Sequence, residues 1–327
     1  MKIYLIAFLL SLVLAVIFGF TLLPILRKIK INQPILKYVK EHSSKSGTPT
    51  MGGLFFIISA IISFFAFSKD NNKLSIITIL IVVGFMIIGF LDDFLKIKLK
   101  ENKGLSVFQK LVFIICVSII ASIIAYDSGL NFLYLPFTNC KLSLGYFTII
   151  LNVLVFVATV NSVNLTDGLD GLCSSVSVVF FIAIAILISL EISFDRSKYI
   201  IESEYYNLSL LSISLVGGLL GYLVFNTSKA SVFMGDTGSL SLGGGIATIS
   251  ILSGNTLYIP IIGVTYLLSS LSVIIQVLYF KRTKKRVFLM APIHHHFQQK
   301  GFSESKITFV YTLITIVCGV LSIFSYL

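Results

Sequence analysis

The chain has 327 residues and a formal net charge of +11, a length that would correspond to about two soluble domains. Hydrophobic residues make up 56% and charged residues 12%, whereas soluble domains carry about 25% charged residues. This composition excludes a water-soluble globular protein, a disordered chain and a disulfide-stabilised secreted scaffold. We therefore interpret residues 1–327 as a single transmembrane domain.

Ten apolar segments are long enough, or nearly so, to cross a bilayer as helices, since a span needs about 20 residues. In chain order they are 3–26, 51–68, 74–91, 107–125, 144–160, 171–190, 207–225, 239–255, 259–280 and 306–326. The runs lack the alternation of a membrane β-barrel, which predicts an all-α polytopic membrane protein. The connection 126–143 is expected to form a short hairpin.

Lysines and arginines are divided unequally between the two sets of connections. The set that begins with 27–50 carries 19 of them, and the other set, with Lys2, carries 6. By the positive-inside rule the first set is cytoplasmic and both termini are extracytoplasmic. The net positive charge then reflects basic cytoplasmic loops and lipid headgroups, and no nucleic-acid partner is expected.

Acids, amides and histidines collect in the predicted cytoplasmic connections. The clusters are Asp92-Asp93, the row Asn161, Asn164, Asp167 and Asp170, the turn around Asp236, and His294-His295-His296. Helix capping would explain any one of them. It does not explain why the outer connections lack comparable motifs, and carboxylates at membrane depth are costly and usually functional. We therefore expect an active site in a cleft on the cytoplasmic face.

The acidic pair ends the third predicted span. Adjacent helical residues point in different directions, so Asp92 is expected to act as a metal ligand or general base, and Asp93 as a partner of Lys96. A simple ion pair at a helix end is the alternative. The row at 161–170 has a spacing of three, which predicts one face of a helix or 3₁₀ turn. Four polar side chains on one face next to lipid need partners, such as hydrogen-bond donors on a sugar or a base, or a cation.

The remaining motifs are weaker when taken singly. The turn at 233–239 offers backbone amides for phosphate, Asp236 for a hard cation and Phe233 for stacking on a base, although a capping turn is equally common. Three consecutive histidines on a helix point in different directions, so they cannot all coordinate one metal ion. They are expected to line a phosphate path unless they form a solvated loop. Lys45 could contact phosphate, with Thr50 either beside it or acting as an N-cap.

This donor set predicts a reaction class. Carboxylates together with substrate phosphates favour Mg²⁺. Aspartates, lysines and histidines around Mg²⁺ suit phosphoryl transfer. A site at the membrane face further indicates one lipid substrate and one soluble substrate.

Five motifs in order, KSGTPTMGG, GFLDDFLK, NSVNLTDGLDGL, VFMGDTGSLSLGG and LMAPIHHHF, resemble the polyprenyl-phosphate N-acetylhexosamine-1-phosphate transferase superfamily. Within it the chain is most similar to the phospho-N-acetylmuramoyl-pentapeptide transferase family. The resemblance implies transfer of phospho-MurNAc-pentapeptide from its UDP carrier to undecaprenyl phosphate, giving lipid I and UMP, with Mg²⁺, in the bacterial cell membrane. This would be the first membrane step of peptidoglycan synthesis.

The resemblance also implies roles for residues. Asp92 would activate the lipid phosphate and help to hold Mg²⁺, Asp236 would be the principal Mg²⁺ ligand, and Asp93 and His294 would belong to the catalytic group. The substrate pocket would be lined by Lys45, Thr50, Lys96, Asn161, Asn164, Asp167, Asp170, Asn226, Phe233, Gly235, His295 and His296. The family commonly has an acid after HHHF, where this chain has Gln298.

Two alternatives stay open on sequence alone. A sister enzyme would transfer GlcNAc-1-phosphate to the same lipid, although MAPIHHHF favours the muramoyl-pentapeptide family. An ion-coupled transporter would carry its acids inside spans and show inverted repeats. The sequence does not decide between monomer and homodimer.

Overall fold

The fold was examined in a computed structural model that describes residues 2–28, 47–70, 72–99, 104–138, 140–193 and 202–325. Its helices are α1 (Lys2–Lys28), α2 (Gly53–Phe67), α3 (Lys73–Leu99), α4 (Val107–Asp127), α5 (Phe147–Thr166), α6 (Leu172–Ser193), α7 (Glu202–Asn226), α8 (Gly235–Leu252), α9 (Ile259–Ile262), α10 (Val264–Thr283), α11 (Ile293–Gln299) and α12 (Glu304–Phe324). Between α4 and α5 lie β1 (Phe132–Tyr134) and β2 (Lys141–Ser143), an antiparallel pair with Leu133 opposite Leu142. The predicted hairpin is therefore confirmed.

The long helices identify the class of protein. Within the described residues, eight helices are long and apolar enough to cross a membrane. Helix α2 is apolar but has only 15 residues, and α8 has 18 residues that include many glycines and serines. The chain is therefore an all-α, multi-pass membrane protein. Ten crossings and extracytoplasmic termini stay predictions.

Helix α8 occupies the centre of the bundle, and every residue from Thr237 to Leu252 is buried. Glycines allow its neighbours to approach closely. A Cβ on Gly89 of α3 would overlap the carbonyl of Asp236, and a Cβ on Gly53 of α2 would overlap the backbone of Gly238. These contacts bring the end of α3 that is predicted to be cytoplasmic against the first turn of α8.

Two predicted boundaries were wrong in a way that matters for the site. Helix α3 continues to Leu99, so Asp92 and Asp93 lie within it and not at its end. Helix α8 begins at Gly235, so Asp236 lies in its first turn and not in a connecting turn. The ninth predicted span is interrupted at Gly263, which separates α9 from α10.

Candidate active site

Three carboxylates from two helices converge at one end of the bundle. Asp92 and Asp93 come from α3 and Asp236 from α8, and one ligand atom from each lies within 4.8 Å of the other two. Asp92 and Asp93 are buried, and Asp236 is partly buried. The close α3–α8 contact at Gly89 is what sets these acids side by side.

Asp93 holds the beginning of α8. Its carboxylate accepts hydrogen bonds from the backbone N–H of Asp236 at 3.2 Å, from the N–H of Thr237 at 3.0 Å and from the Thr237 hydroxyl at 2.7 Å. The first amides of a helix have no partner within it, so a carboxylate there stabilises the start. Asp93 also pairs with Lys96, as predicted, but at an N···O distance of 3.9 Å, so its closer partners are those in the first turn of α8.

Two lysines bind the other two acids. Lys96 Nζ lies 2.6 Å from Asp92 Oδ2 and 2.7 Å from Asp236 Oδ2, and Lys110 Nζ lies 3.0 Å from the same Asp236 oxygen. The remaining oxygen of Asp92, Oδ1, accepts the Leu105 N–H at 2.8 Å. Asp92 and Asp236 are thus joined through one shared ammonium group.

Sequence reasoning did not select Lys110 as a site residue. Ser106 and Gln109 form a reciprocal capping box that starts α4, the next helix after α3. Lys110 then follows in the first turn of α4. That capping signal, read together with the acids upstream, could have placed the lysine beside them.

The row at 161–170 does not lie on one helix face as predicted, because α5 ends at Thr166. Asn164 does reach the cluster, since its amide donates to Asp236 Oδ1 at 2.5 Å and to Ser239 Oγ at 2.7 Å. Asn161 instead donates to the Val157 carbonyl at 2.7 Å, so its amide is bound within its own helix.

Asp167 follows the last residue of α5 and is partly buried. Burial raises the pKa of its carboxyl well above the ordinary value, and the nearby carboxylates of Asp236 and Asp93 add to that shift. Asp167 therefore belongs to the electrostatic environment of the cluster, and its place in the substrate pocket stays a prediction.

Asp170 and Asn226 make hydrogen bonds within the scaffold, and their place in the pocket lining stays a prediction. Asp170 Oδ2 accepts the Ala230 N–H at 3.0 Å. Asn226 accepts the Gly171 N–H at 3.1 Å and donates to the Val232 carbonyl at 2.9 Å. Both ends of the amide are therefore used to join the turn after α5 to the segment before α8.

The segment before α2 packs along the segment before α8. Phe233 donates its N–H to Pro49 O, and its carbonyl accepts the Gly52 N–H. Among the described residues, the Thr50 hydroxyl is buried without a hydrogen-bond partner, and α2 has no side-chain cap, so Thr50 does not act as the N-cap. The Oγ1 atom of Thr50 and the Oδ2 atom of Asp93 leave no room for a Cβ at Gly235, where φ is +71°.

The ring of Phe233 differs from its neighbours. Val232 and Met234 are fully buried, whereas Phe233 is only partly buried. Phe233 is not among the residues that form the hydrophobic core, nor among the partly buried residues that pack against that core. This ring is therefore available to a planar ligand.

The predicted phosphate-binding Lys45 lies outside the described residues.

The three histidines lie on helix α11 and have different surroundings. His294 is fully buried, and neither of its ring nitrogens has a hydrogen-bond partner in the part of the chain that the structure describes. Burial holds the pKa of His294 well below the ordinary value. A Cβ on Gly168 would overlap the Nε2 atoms of both His294 and His295. His296 accepts the Leu289 N–H on Nδ1 at 3.1 Å, and its predicted substrate contact stays a prediction.

The residues fit a hard cation such as Mg²⁺. The converging donors are carboxylate oxygens, the ligands that Mg²⁺ prefers. The three carboxylates of Asp92, Asp93 and Asp236 outnumber the two ammonium groups of Lys96 and Lys110. The site therefore has an excess of negative charge that a divalent cation would balance.

Comparison with known proteins agrees with this arrangement. The model of glycosyl transferase family 4 matches residues 75–254, and signature 1 of the phospho-N-acetylmuramoyl-pentapeptide-transferases matches residues 45–57. The matched range contains the acidic cluster, the turn after α5 and the whole of α8.

Curated relatives extend the match over nearly the whole chain. A phospho-N-acetylmuramoyl-pentapeptide-transferase of Clostridium botulinum is 43% identical over 95% of this chain and 93% of its own length. Those of Clostridioides difficile and Helicobacter pylori are 40% and 39% identical, over 98% and 90% of this chain and 95% and 86% of their own lengths. The chain therefore belongs to the phospho-N-acetylmuramoyl-pentapeptide transferase family and is a phosphoglycosyl transferase.

Proposed function

We propose that the chain transfers phospho-MurNAc-pentapeptide from UDP-MurNAc-pentapeptide to undecaprenyl phosphate, with Mg²⁺, and releases UMP. An oxygen of the lipid phosphate attacks the phosphorus that bears the sugar. The bond from that phosphorus to UMP breaks, and the product is lipid I. The observation that carries the proposal is the convergence of Asp92, Asp93 and Asp236 at the end of apolar helices.

The geometry favours separate roles for the two acids that share Lys96. Asp92 is fixed by Leu105 N–H and Lys96, so it is positioned to act either as the base that deprotonates the lipid phosphate, or as a nucleophile that attacks the sugar-bearing phosphorus and displaces UMP before the lipid phosphate takes over the phospho-sugar. Lys96 and Lys110 each carry an ammonium group beside Asp236. When substrate arrives, these groups can turn to phosphate oxygens, because a lysine is a flexible cation with three donors.

Asp236 and Asp92 would hold Mg²⁺, which would supply neutralisation of the phosphate charge that develops during transfer. Asn164 orients Asp236 through a hydrogen bond to Oδ1. The role of Asp93 is to fix the first turn of α8, which positions Asp236.

The nucleotide-sugar is expected to occupy the space bordered by Thr50, Phe233 and His294. The Thr50 hydroxyl and the His294 ring nitrogens are buried polar atoms that have no hydrogen-bond partner within the described ranges of the chain. Such atoms are costly unless a ligand or water satisfies them. Phe233 supplies a partly exposed aromatic face for the uracil.

The acidic end of the bundle is proposed to face the cytoplasm, with the protein in the bacterial plasma membrane. The basic residues concentrate in the connections at this end. The soluble UDP-sugar would then enter from the cytoplasm, and undecaprenyl phosphate would enter from the bilayer.

The test is reconstituted transfer with two donors. Purified protein in lipid vesicles is given undecaprenyl phosphate, Mg²⁺ and either radiolabelled UDP-MurNAc-pentapeptide or radiolabelled UDP-GlcNAc, and the lipids are extracted. We expect label in the lipid fraction with the first donor and release of one UMP per product. Label from UDP-GlcNAc alone would identify the sister activity and contradict the proposal.

A further inference from the structure

The short segment that leads into α4 passes directly over the Asp92 side chain. Leu105 donates its N–H to Asp92 Oδ1 at 2.8 Å. A Cβ on Gly104 would lie 2.8 Å from both the carboxyl carbon and the backbone carbonyl oxygen of Asp92, and closer still to Oδ1. Such contacts leave no room for a side chain, so the residue next to the donating amide is one that has none.

A small side-chain movement would not relieve this contact. The carbonyl oxygen that a Cβ at position 104 would meet belongs to the helical backbone of α3. The carboxylate that it would also meet is on a residue only 3% exposed, and Lys96 Nζ holds its Oδ2 at 2.6 Å. A side chain at position 104 would therefore shift the connecting backbone or rotate the carboxylate, and either change would break the hydrogen bond from Leu105.

The two oxygens of Asp92 consequently have different surroundings. Oδ1 is bound by a backbone amide and covered by Gly104, whereas Oδ2 shares Lys96 Nζ with Asp236 Oδ2. Lysine is a flexible cation that can turn to a new partner. The amide is held more firmly, because the Leu105 side chain packs against the hydrophobic core. Oδ2 is therefore the oxygen that a substrate can approach from the side of Asp236.

We propose that Gly104 is a positioning residue: it lets the Leu105 N–H hold Asp92 Oδ1 and so leaves Oδ2 as the reacting oxygen. This inference rests on the proposed function and names the atom of Asp92 that acts within it. As a base, Oδ2 would take the proton of the lipid phosphate. As a nucleophile, Oδ2 would form a bond to the sugar-bearing phosphorus while the bond to UMP breaks, and the lipid phosphate would then displace it.

The first test observes the Leu105 amide in detergent by NMR. In Gly104→Ala, labelling with ¹³C′-alanine and ¹⁵N-leucine selects this amide alone, because the chain has no Ala-Leu pair of its own. In the unsubstituted protein, ¹³C′-glycine and ¹⁵N-leucine select six Gly-Leu pairs, and Leu105→Met identifies the signal by its loss. We expect the amide proton to exchange with solvent about tenfold faster in Gly104→Ala, as for one lost hydrogen bond.

Kinetics provide the second readout. Gly104→Ala should lower kcat about 10–100-fold, as for one lost hydrogen bond to a charged group, with the KM for UDP-MurNAc-pentapeptide little changed. Leucic acid at position 105, introduced by cell-free synthesis, replaces the amide N–H by an ester oxygen. It adds no side chain at position 104, and it should give the same split between kcat and KM even if Gly104→Ala folds poorly.

A matched control is available on the helix that carries Asp92. In Gly84→Ala the new Cβ would meet only Val117 side-chain atoms, at 3.5 Å and beyond. This substitution makes the same chemical change away from the carboxylate, so it should alter neither kcat nor the exchange of the Leu105 amide.

A double substitution separates positioning from a general disturbance of the fold. If Gly104 acts through the Asp92 carboxylate, Gly104→Ala should add little to the loss of kcat that Asp92→Asn already causes, because residues that act as a unit are not additive. An equal further loss of kcat in the Asp92→Asn background would overturn the inference. An unchanged exchange rate of the Leu105 amide in Gly104→Ala would do the same.

These outcomes are distinct from a failure of the proposed function. Formation of lipid I with an undiminished kcat in both Gly104→Ala and the ester variant would refute only the positioning. Faster amide exchange in Gly104→Ala, in a protein that transfers nothing from UDP-MurNAc-pentapeptide, would confirm how the carboxylate is held and refute the function.

Discussion

Asp92 and Asp93 are adjacent in sequence, yet their partners are different. Asp92 faces Lys96 and the Leu105 N–H, whereas Asp93 accepts three hydrogen bonds from the first turn of α8. One acid is thus held by a lysine and a backbone amide, and the other holds the first turn of α8 in position.

Substitution should separate these roles. Asp92→Asn should lower kcat by about 10²–10⁴, the usual contribution of a general base, while UDP-sugar binding persists. Asp93→Asn places an amide donor against backbone donors, and should lower the stability of the fold by about 1–3 kcal/mol. Turnover and thermal unfolding in detergent measure the two effects. A fully active Asp92→Asn protein beside a stable but inactive Asp93→Asn protein would reverse the assignment.

The buried imidazole of His294 makes stability depend on pH. Burial holds the pKa of His294 below its ordinary value, so the folded protein stays unprotonated there while the unfolded chain takes up a proton near pH 6.5. Stability is therefore full above about pH 6.5 and declines below it, by at most about 1.4 kcal/mol per pH unit. In His294→Gln this part of the decline should disappear from unfolding curves recorded between pH 5 and 8. An unaltered slope would show that His294 does not cause it.

Phe233 tests the nucleotide contact. Its ring is partly buried and lies apart from the core, so Phe233→Ala should leave the Tm nearly unchanged. The KM for the UDP-sugar should rise by the equivalent of about 1–3 kcal/mol, the cost of losing one base–aromatic stack. A large fall in Tm with an unchanged KM would instead assign the ring to packing.

At the scale of elements, the contact between α3 and α8 determines the geometry of the site. Gly89 approaches the carbonyl of Asp236 so closely that any side chain would force the helices apart. The three acids depend on that approach, because two come from one helix and one from the other.

The substitution Gly89→Ala should therefore damage the site by moving a helix. We expect a stability loss of about 1–3 kcal/mol, as for other overpacked positions, together with a fall in kcat. Gly84→Ala is the control on the same helix, because its Cβ would meet only Val117 side-chain atoms at 3.5 Å and beyond. Equal effects of the two substitutions would contradict a specific role for the contact at Gly89.

The sequence predicted the helices better than it predicted their ends. Apolar runs and the hairpin were evident because hydropathy is a local property. The extension of α3 past Asp92 and the early start of α8 depend on Asp93 accepting amides from a segment more than 140 residues away. Such a contact leaves no local pattern.

The site residues, too, could be predicted from the sequence only in part. Residue type selected Asp92, Asp236 and Asn164, which the structure brings together. It could not separate them from Asn226, whose amide is occupied by two backbone groups, since an asparagine in a binding site and one in a scaffold have the same sequence pattern.

At the scale of the whole molecule, apolar helices carry a charged cluster that would be unfavourable within lipid alone. Lys96 and Lys110 compensate part of its negative charge, and we propose that Mg²⁺ balances the rest. Catalysis and cation binding would then share Asp236, which is contacted by both lysines and by Asn164.

The most direct test of this account is lipid-linked product formation as a function of Mg²⁺ for the unsubstituted protein and Asp236→Asn, both reconstituted with UDP-MurNAc-pentapeptide and undecaprenyl phosphate. The unsubstituted protein should form no product in EDTA and recover fully when Mg²⁺ is restored. Asp236→Asn should insert and fold but lose most of its turnover at every Mg²⁺ concentration. Near-normal turnover by Asp236→Asn at ordinary Mg²⁺, or product formed in EDTA, would contradict the account.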